Sequence, residues 1–175
     1  MKDIRFRVLL GMILAAAAVR LLPHPPNFTP IGAMALFGGA RFRDLRAAFL
    51  APIAALVISQ CALGFYATFP LIAFAFVLET GIGRLLARRG GPLRIGSAVV
   101  AGSGVFYLVT NFGVWAFGTM YAKTLAGLAL CYAAGIPYFW NTLGSDALYS
   151  ALLFGSLWLA EQRFAALREP AGALQ

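Results

Sequence analysis

The chain has 175 residues, 61% of them hydrophobic and 11% charged, with a formal net charge of +8. Soluble domains are nearer a quarter charged and half apolar, so this composition excludes an ordinary soluble globule and points to lipid as the solvent. The positive charge does not indicate nucleic acid, because the arginines punctuate apolar runs instead of forming a stripe on a polar face.

A membrane-spanning helix needs about 20 residues, with a range of roughly 17–25. In chain order the apolar runs predict helices at 6–22, 29–40, 47–64, 69–86, 95–118 and 142–160. The first follows Lys2, Arg5 and Arg7 and also fits a secretory signal peptide, whose removal would leave five helices in the same orientation. The second is short. A further apolar stretch, 121–136, is interrupted by glycines and carries Lys123. It is expected to be an interfacial or re-entrant helix within a long fifth loop, 119–141. The fold class is therefore an all-α integral membrane protein with six transmembrane helices, forming one domain over 1–175 with a frayed tail after Arg163. No internal repeat supports an inverted-repeat transporter.

Charge sets the expected orientation. The N-terminus, the second and fourth loops and the C-terminal tail hold twelve of the basic residues, against Arg20 and Lys123 on the other side. Positively charged loops stay in the cytoplasm. Both chain ends are thus expected there, in a bacterial inner membrane. The Arg41–Arg43–Arg46 cluster then requires 29–40 to cross despite its length.

The outer side is poor in charge and rich in special residues. The stretch RLLPHPPNFTPIGAMALFGGA, 20–40, holds the single histidine, His24, with Asn27 beside it. Thr29 is suited to cap the following helix and Pro30 to its first turn. The free N–H groups of that helix start, with Arg20 and Lys123 on the same side, would favour an anionic group. Arg20 reaching for lipid head groups is the plainer alternative. Tyr66, Trp115, Tyr121, Tyr138 and Trp140 fall at one level. They are expected either as an interfacial aromatic belt or as the walls of a pocket. Gln60, Asn111, Asn141 and Asp146 are placed to read hydrogen-bonding edges of a ligand, or to bond helices together. Glu79, deeper in its helix, is expected to be structural. The candidate binding set is therefore Arg20, His24, Asn27, Thr29, Gln60, Tyr66, Asn111, Trp115, Tyr121, Lys123, Asn141 and Asp146, with the fifth loop as a lid.

Cys61 and Cys131 lie in apolar surroundings and read as small buried hydrophobes. No metal, phosphate-loop or nucleophile-elbow motif occurs, so neither cofactor nor metal is expected. An enzyme would need His24, Glu79 or Asp146 to converge, and the spacing does not require it.

Two stretches, RLLPHPPNFTPIGAMALFGGA and TNFGVWAFGTMYAKTLAGLALCYAAGIPYFWNTLGSDALY, resemble a family of small bacterial membrane proteins regarded as transport proteins. The resemblance runs from Arg20 to about Phe154. More distantly, the layout is similar to the substrate-binding (S) component of energy-coupling factor transporters. That likeness implies six helices, cytoplasmic termini and a vitamin-like nutrient bound near the outer face under the first, third and fifth loops. It also implies a transmembrane coupling partner driven by ATPases. The strict alanine-x-x-x-alanine docking pattern is absent; Gly11 and Ala15 supply the small pair. Where the family of transport proteins commonly has an acidic residue and a histidine, this chain has Gln60 and Tyr66, which implies a ligand other than a metal or cation. The residues themselves also admit a structural or scaffolding protein of the cell envelope.

Overall fold

The computed structural model describes residues 2–65, 67–87 and 90–169. Among these there are six α-helices and no strand: α1 (Lys2–Val19), α2 (Ile31–Arg41), α3 (Leu45–Leu63), α4 (Phe69–Ile82), α5 (Pro92–Phe117) and α6 (Leu125–Arg163). A π turn, Gly83–Ala87, extends α4, and a 3-10 turn, Ala165–Leu167, follows α6.

Three helices, α3, α5 and α6, are long and apolar enough to span a membrane. The distribution of side chains fits that solvent. Leu50, Ile58, Phe74, Val100, Leu108, Leu152 and Leu159 face outward, while Ser59, Gln60, Glu79, Thr80, Ser103, Thr142, Ser145, Asp146 and Ser150 are buried. Large apolar side chains facing outward, with these polar groups buried beside an apolar core, is what lipid favours. Cys131 is buried as expected, but Cys61 is exposed. It lies on the outer face of α3, where apolar neighbours in sequence are lipid-facing and not core.

The short α2 is the centre of the fold. All ten residues from Ile31 to Ala40 are buried, and the helix touches each of the other five. Its small residues permit this. A Cβ on Gly38 would overlap Pro52 of α3, one on Gly39 the Thr80 carbonyl of α4, and one on Gly32 the Asp146 carboxylate of α6. Small residues let helix backbones approach closely, which replaces the missing hydrophobic drive in lipid. With 11 residues, α2 is only about 16 Å long, roughly half a bilayer core. The space beyond its N-terminus is closed by the 20–30 loop and by its neighbours.

The fifth loop differs from expectation. Residues 125–163 form one 39-residue helix, so the separate interfacial or re-entrant helix and the lid are not formed, and the connection shrinks to 118–124. Pro137 sits inside the helix without ending it. Helix interruptions are tolerated where packed neighbours satisfy the freed backbone groups. Here α5 supplies a continuous partner face, with Tyr107 Oη donating to the Tyr132 carbonyl at 2.6 Å and Asn111 filling the space beside Gly135. The helix is about 58 Å long, well beyond a bilayer core.

The chain ends meet. Arg5 forms a 2.7 Å ion pair with Glu161 and donates to the Leu167 carbonyl. The tail expected to fray thus packs back onto α1 through Leu167, which is buried. Arg5→Ala is predicted to cost about 2 kcal/mol, less than the ~3–5 kcal/mol of a fully buried pair because Glu161 is part-exposed. A fall in the thermal midpoint of the detergent-purified protein measures it.

Candidate functional site

A cavity of ≈ 250 Å³ lies beyond the start of α2. Arg20 from the end of α1, and His24, Asn27 and Thr29 from the loop, form one side. Leu63 and Ile72 come from α3 and α4, Phe106 from α5, and Thr142 from α6. The base holds Gly32, Glu79 and Asp146. A half-length central helix surrounded by longer ones leaves this hollow as a matter of geometry.

The loop that roofs it is locally determined. Asn27 adopts a left-handed conformation (φ 60°), which asparagine tolerates, and Phe28 N–H bonds the Pro25 carbonyl at 3.0 Å. Asn141 Nδ2 donates to the Pro26 carbonyl at 2.9 Å, tying the loop to α6. The helix itself begins at Ile31, one turn position later than expected. Pro30 takes the cap position with no side-chain hydrogen bond, so Thr29 faces the cavity and does not cap.

Each charged group has a distinct setting. Arg20 does not reach for head groups; it is buried, donating to Ser59 Oγ at 2.7 Å and Gln60 Oε1 at 2.8 Å. Asp146 is 1% exposed. Its Oδ2 accepts from Ser103 Oγ at 2.7 Å, and its carboxylate lies against Gly32 and faces the Ala33 N–H. The anion-binding start of α2 is therefore occupied by a carboxylate of the protein itself. Glu79 is fully buried, and neither of its oxygens has a hydrogen-bond partner among the described residues.

Five of the sequence candidates, Arg20, His24, Asn27, Thr29 and Asp146, thus share the cavity, and Gln60 supports Arg20 from behind. Others are elsewhere. Asn111 Nδ2 donates to the Tyr107 carbonyl of its own helix and packs against Gly135. Trp115 Nε1 donates to the Ala122 carbonyl, and Lys123 Nζ to the Trp115 and Gly118 carbonyls, so these side chains seal the α5–α6 turn. Tyr121 belongs to the same turn, and Asn141 holds the roof loop from outside the cavity. Tyr66 lies outside the described residues. Trp115, Tyr121, Tyr138 and Trp140 do not form an aromatic wall: Phe106 is the single phenyl ring lining the cavity among the described residues, and Tyr138 and Trp140 face outward. A continuous α6 turns them that way, since the face toward α5 is taken by Cys131 and Gly135.

Glu79 was not among the candidates. Its depth suggested structure, but an intramembrane carboxyl with no hydrogen-bond partner among the described residues is a functional signal in its own right. A larger hollow, ≈ 530 Å³, lies at the arginine-rich end beside Arg5, Arg41 and Asp44. Its lining also includes Arg168 and Glu169.

These features define an all-helical membrane protein with an internal polar cavity. The chain belongs to DUF6580, a family of unknown function whose profile matches residues 1–167. No curated protein and no solved structure matches it.

Proposed function

We propose that this chain is a membrane transport component that binds a small nutrient in the cavity beyond α2. In this reading all six helices cross the bacterial inner membrane, the arginine-rich end is cytoplasmic, and the cavity opens outward beneath the 20–30 loop. The observation that carries the reading is the cavity itself: exposed polar residues at its mouth and charged, buried ones at its base form a path from solvent to a specific floor. Energy coupling would come from separate subunits, as in the transporters whose S component the sequence resembles, since the chain has no nucleotide motif.

A scaffolding role needs no cavity. It would require residues 111–146 to close on one another. The stretch from Asn111 to Gly135 does so, whereas Thr142 and Asp146 face the hollow. An intramembrane enzyme would need His24, Glu79 or Asp146 within hydrogen-bond reach of one another, and all three line the one cavity. The His24 ring contacts the Pro25 carbonyl at 3.0 Å, which turns it to the roof loop.

Thr142→Phe is predicted to fill the cavity from α6 while leaving the helices assembled. Native mass spectrometry of the purified full chain should find a copurified small molecule in the wild type and none in this variant. Equal occupancy in both would remove the cavity as the binding site.

A further inference from the structure

The base of the cavity holds two carboxyl groups, those of Glu79 and Asp146. Arg20 is its one cation, set against Glu79 and Asp146; His24, the remaining titratable group in the lining, lies at the exposed mouth. The two carboxylates are not equivalent. Asp146 is answered by Ser103 and by the start of α2. Arg20 donates to Ser59 Oγ and Gln60 Oε1. Glu79 is answered by nothing described, although it is completely buried and lines the cavity. The fold makes room for it. Gly102 of α5 stands opposite, where an added Cβ would already be 3.6 Å from Glu79 Cγ.

We propose that the ligand of this cavity is a small organic cation whose N–H-bearing nitrogen pairs with the Glu79 carboxylate. This rests on the binding reading above and specifies its chemistry. Taking one partner from a buried ion pair leaves a costly uncompensated charge, and a site in that condition gains most from the missing partner. An amine or amidinium fits better than a quaternary ammonium, because among the described residues Glu79 lacks hydrogen-bond donors and the wall offers one phenyl ring where a quaternary group would want several. A bare metal ion would leave most of the ≈ 250 Å³ empty, and no cluster of three ligating side chains exists among the described residues. An anion would meet two carboxylates, with the helix start it needs already taken.

Matched probes test this on the detergent-purified full chain. Tyramine, tyrosol and 4-hydroxyphenylacetate share a ring and differ in carrying an amine, an alcohol or an acid; benzylamine, benzyl alcohol and benzoate form a second set. At ten times its Kd, an amine should raise the thermal midpoint by about 3–5 °C, with little effect from its alcohol or acid. Glu79→Gln should abolish that shift while its own midpoint stays at or above the wild-type value, because no hydrogen bond to Glu79 among the described residues is lost. A purely structural Glu79 would instead lower it. If the glutamine variant does not fold, Glu79→Asp should weaken amine binding at least tenfold through its shorter reach. Equal shifts from the alcohols or acids, no shift from either amine, or a Glu79-dependent shift produced by sodium or potassium ions alone would each overturn the proposal. Those results would leave the binding reading intact if Thr142→Phe still expels a copurified molecule; if it does not, the cavity reading fails on its own.

Discussion

Gly39→Leu should prevent the helices from assembling. The position allows no adjustment: a Cβ there meets the Thr80 carbonyl and the Arg84 backbone nitrogen, and backbone cannot swing aside as a side chain can. Nor can α2 retreat, since it is enclosed by the other five helices. Overpacking commonly costs about 1–3 kcal/mol, and a clash with fixed backbone belongs at or above the upper end. Total stabilities are only about 5–15 kcal/mol, so most of the protein should be lost as aggregate. Gel filtration in mild detergent measures the monodisperse fraction. Gly11→Leu is the control, because nothing lies within 4 Å of a Cβ there; it should change stability by no more than about 0.5 kcal/mol. Equal behaviour of the two variants would show that close α2–α4 approach does not hold the fold.

Asp146→Leu should be the most damaging change at the cavity floor. Leucine keeps the bulk but removes the acceptor used by Ser103 and faced by the first N–H groups of α2. No side chain at Pro30 can replace it, and Thr29 is directed elsewhere. A lost cap costs about 0.5–2 kcal/mol and an orphaned buried donor about 1–3 kcal/mol. Together these predict a loss of about 2–4 kcal/mol, or a midpoint lower by roughly 5–15 °C. Asp146→Asn keeps one acceptor oxygen and should lose about half as much. Amide exchange at Ala33 should accelerate in the leucine variant. An unchanged midpoint and unchanged exchange would mean that the start of α2 is held by something other than this carboxylate.

These two residues show why the site was only partly legible beforehand. Arg20, His24, Asn27 and Thr29 were readable because they are nearly contiguous, and one loop carries them to the same place whatever the helices do. Asp146 was readable as an expensive charge in an apolar run. Its task was not, because the helix start that looked like a ligand's anion site is filled by Asp146 itself. The preference for an anionic ligand, drawn from Arg20 and Lys123, loses its basis in the same step: Arg20 is held by Ser59 and Gln60, and Lys123 is bonded into the α5–α6 turn. Asn111, Trp115 and Tyr121 stood at the right height along the sequence but on helix faces and turns that pack elsewhere. Height follows from residue count at about 1.5 Å per residue, whereas facing direction depends on which neighbour each helix meets.

Composition alone decided the solvent, because so few charged residues cannot cover a soluble globule of this size. Apolar run length placed most of the helices to within a few residues, since a bilayer forces backbone groups to bond within each segment. The tertiary structure decided the rest. Whether 121–136 and 142–160 were two helices or one depended on α5 offering a continuous partner across Pro137, which no local propensity encodes. The half-length of α2 became a cavity only when longer helices closed around it. Glu79 acquired meaning when packing set it at the floor of that hollow with no hydrogen-bond partner for either oxygen among the described residues. A side chain's chemistry is written in the sequence, but the company it keeps depends on long-range packing.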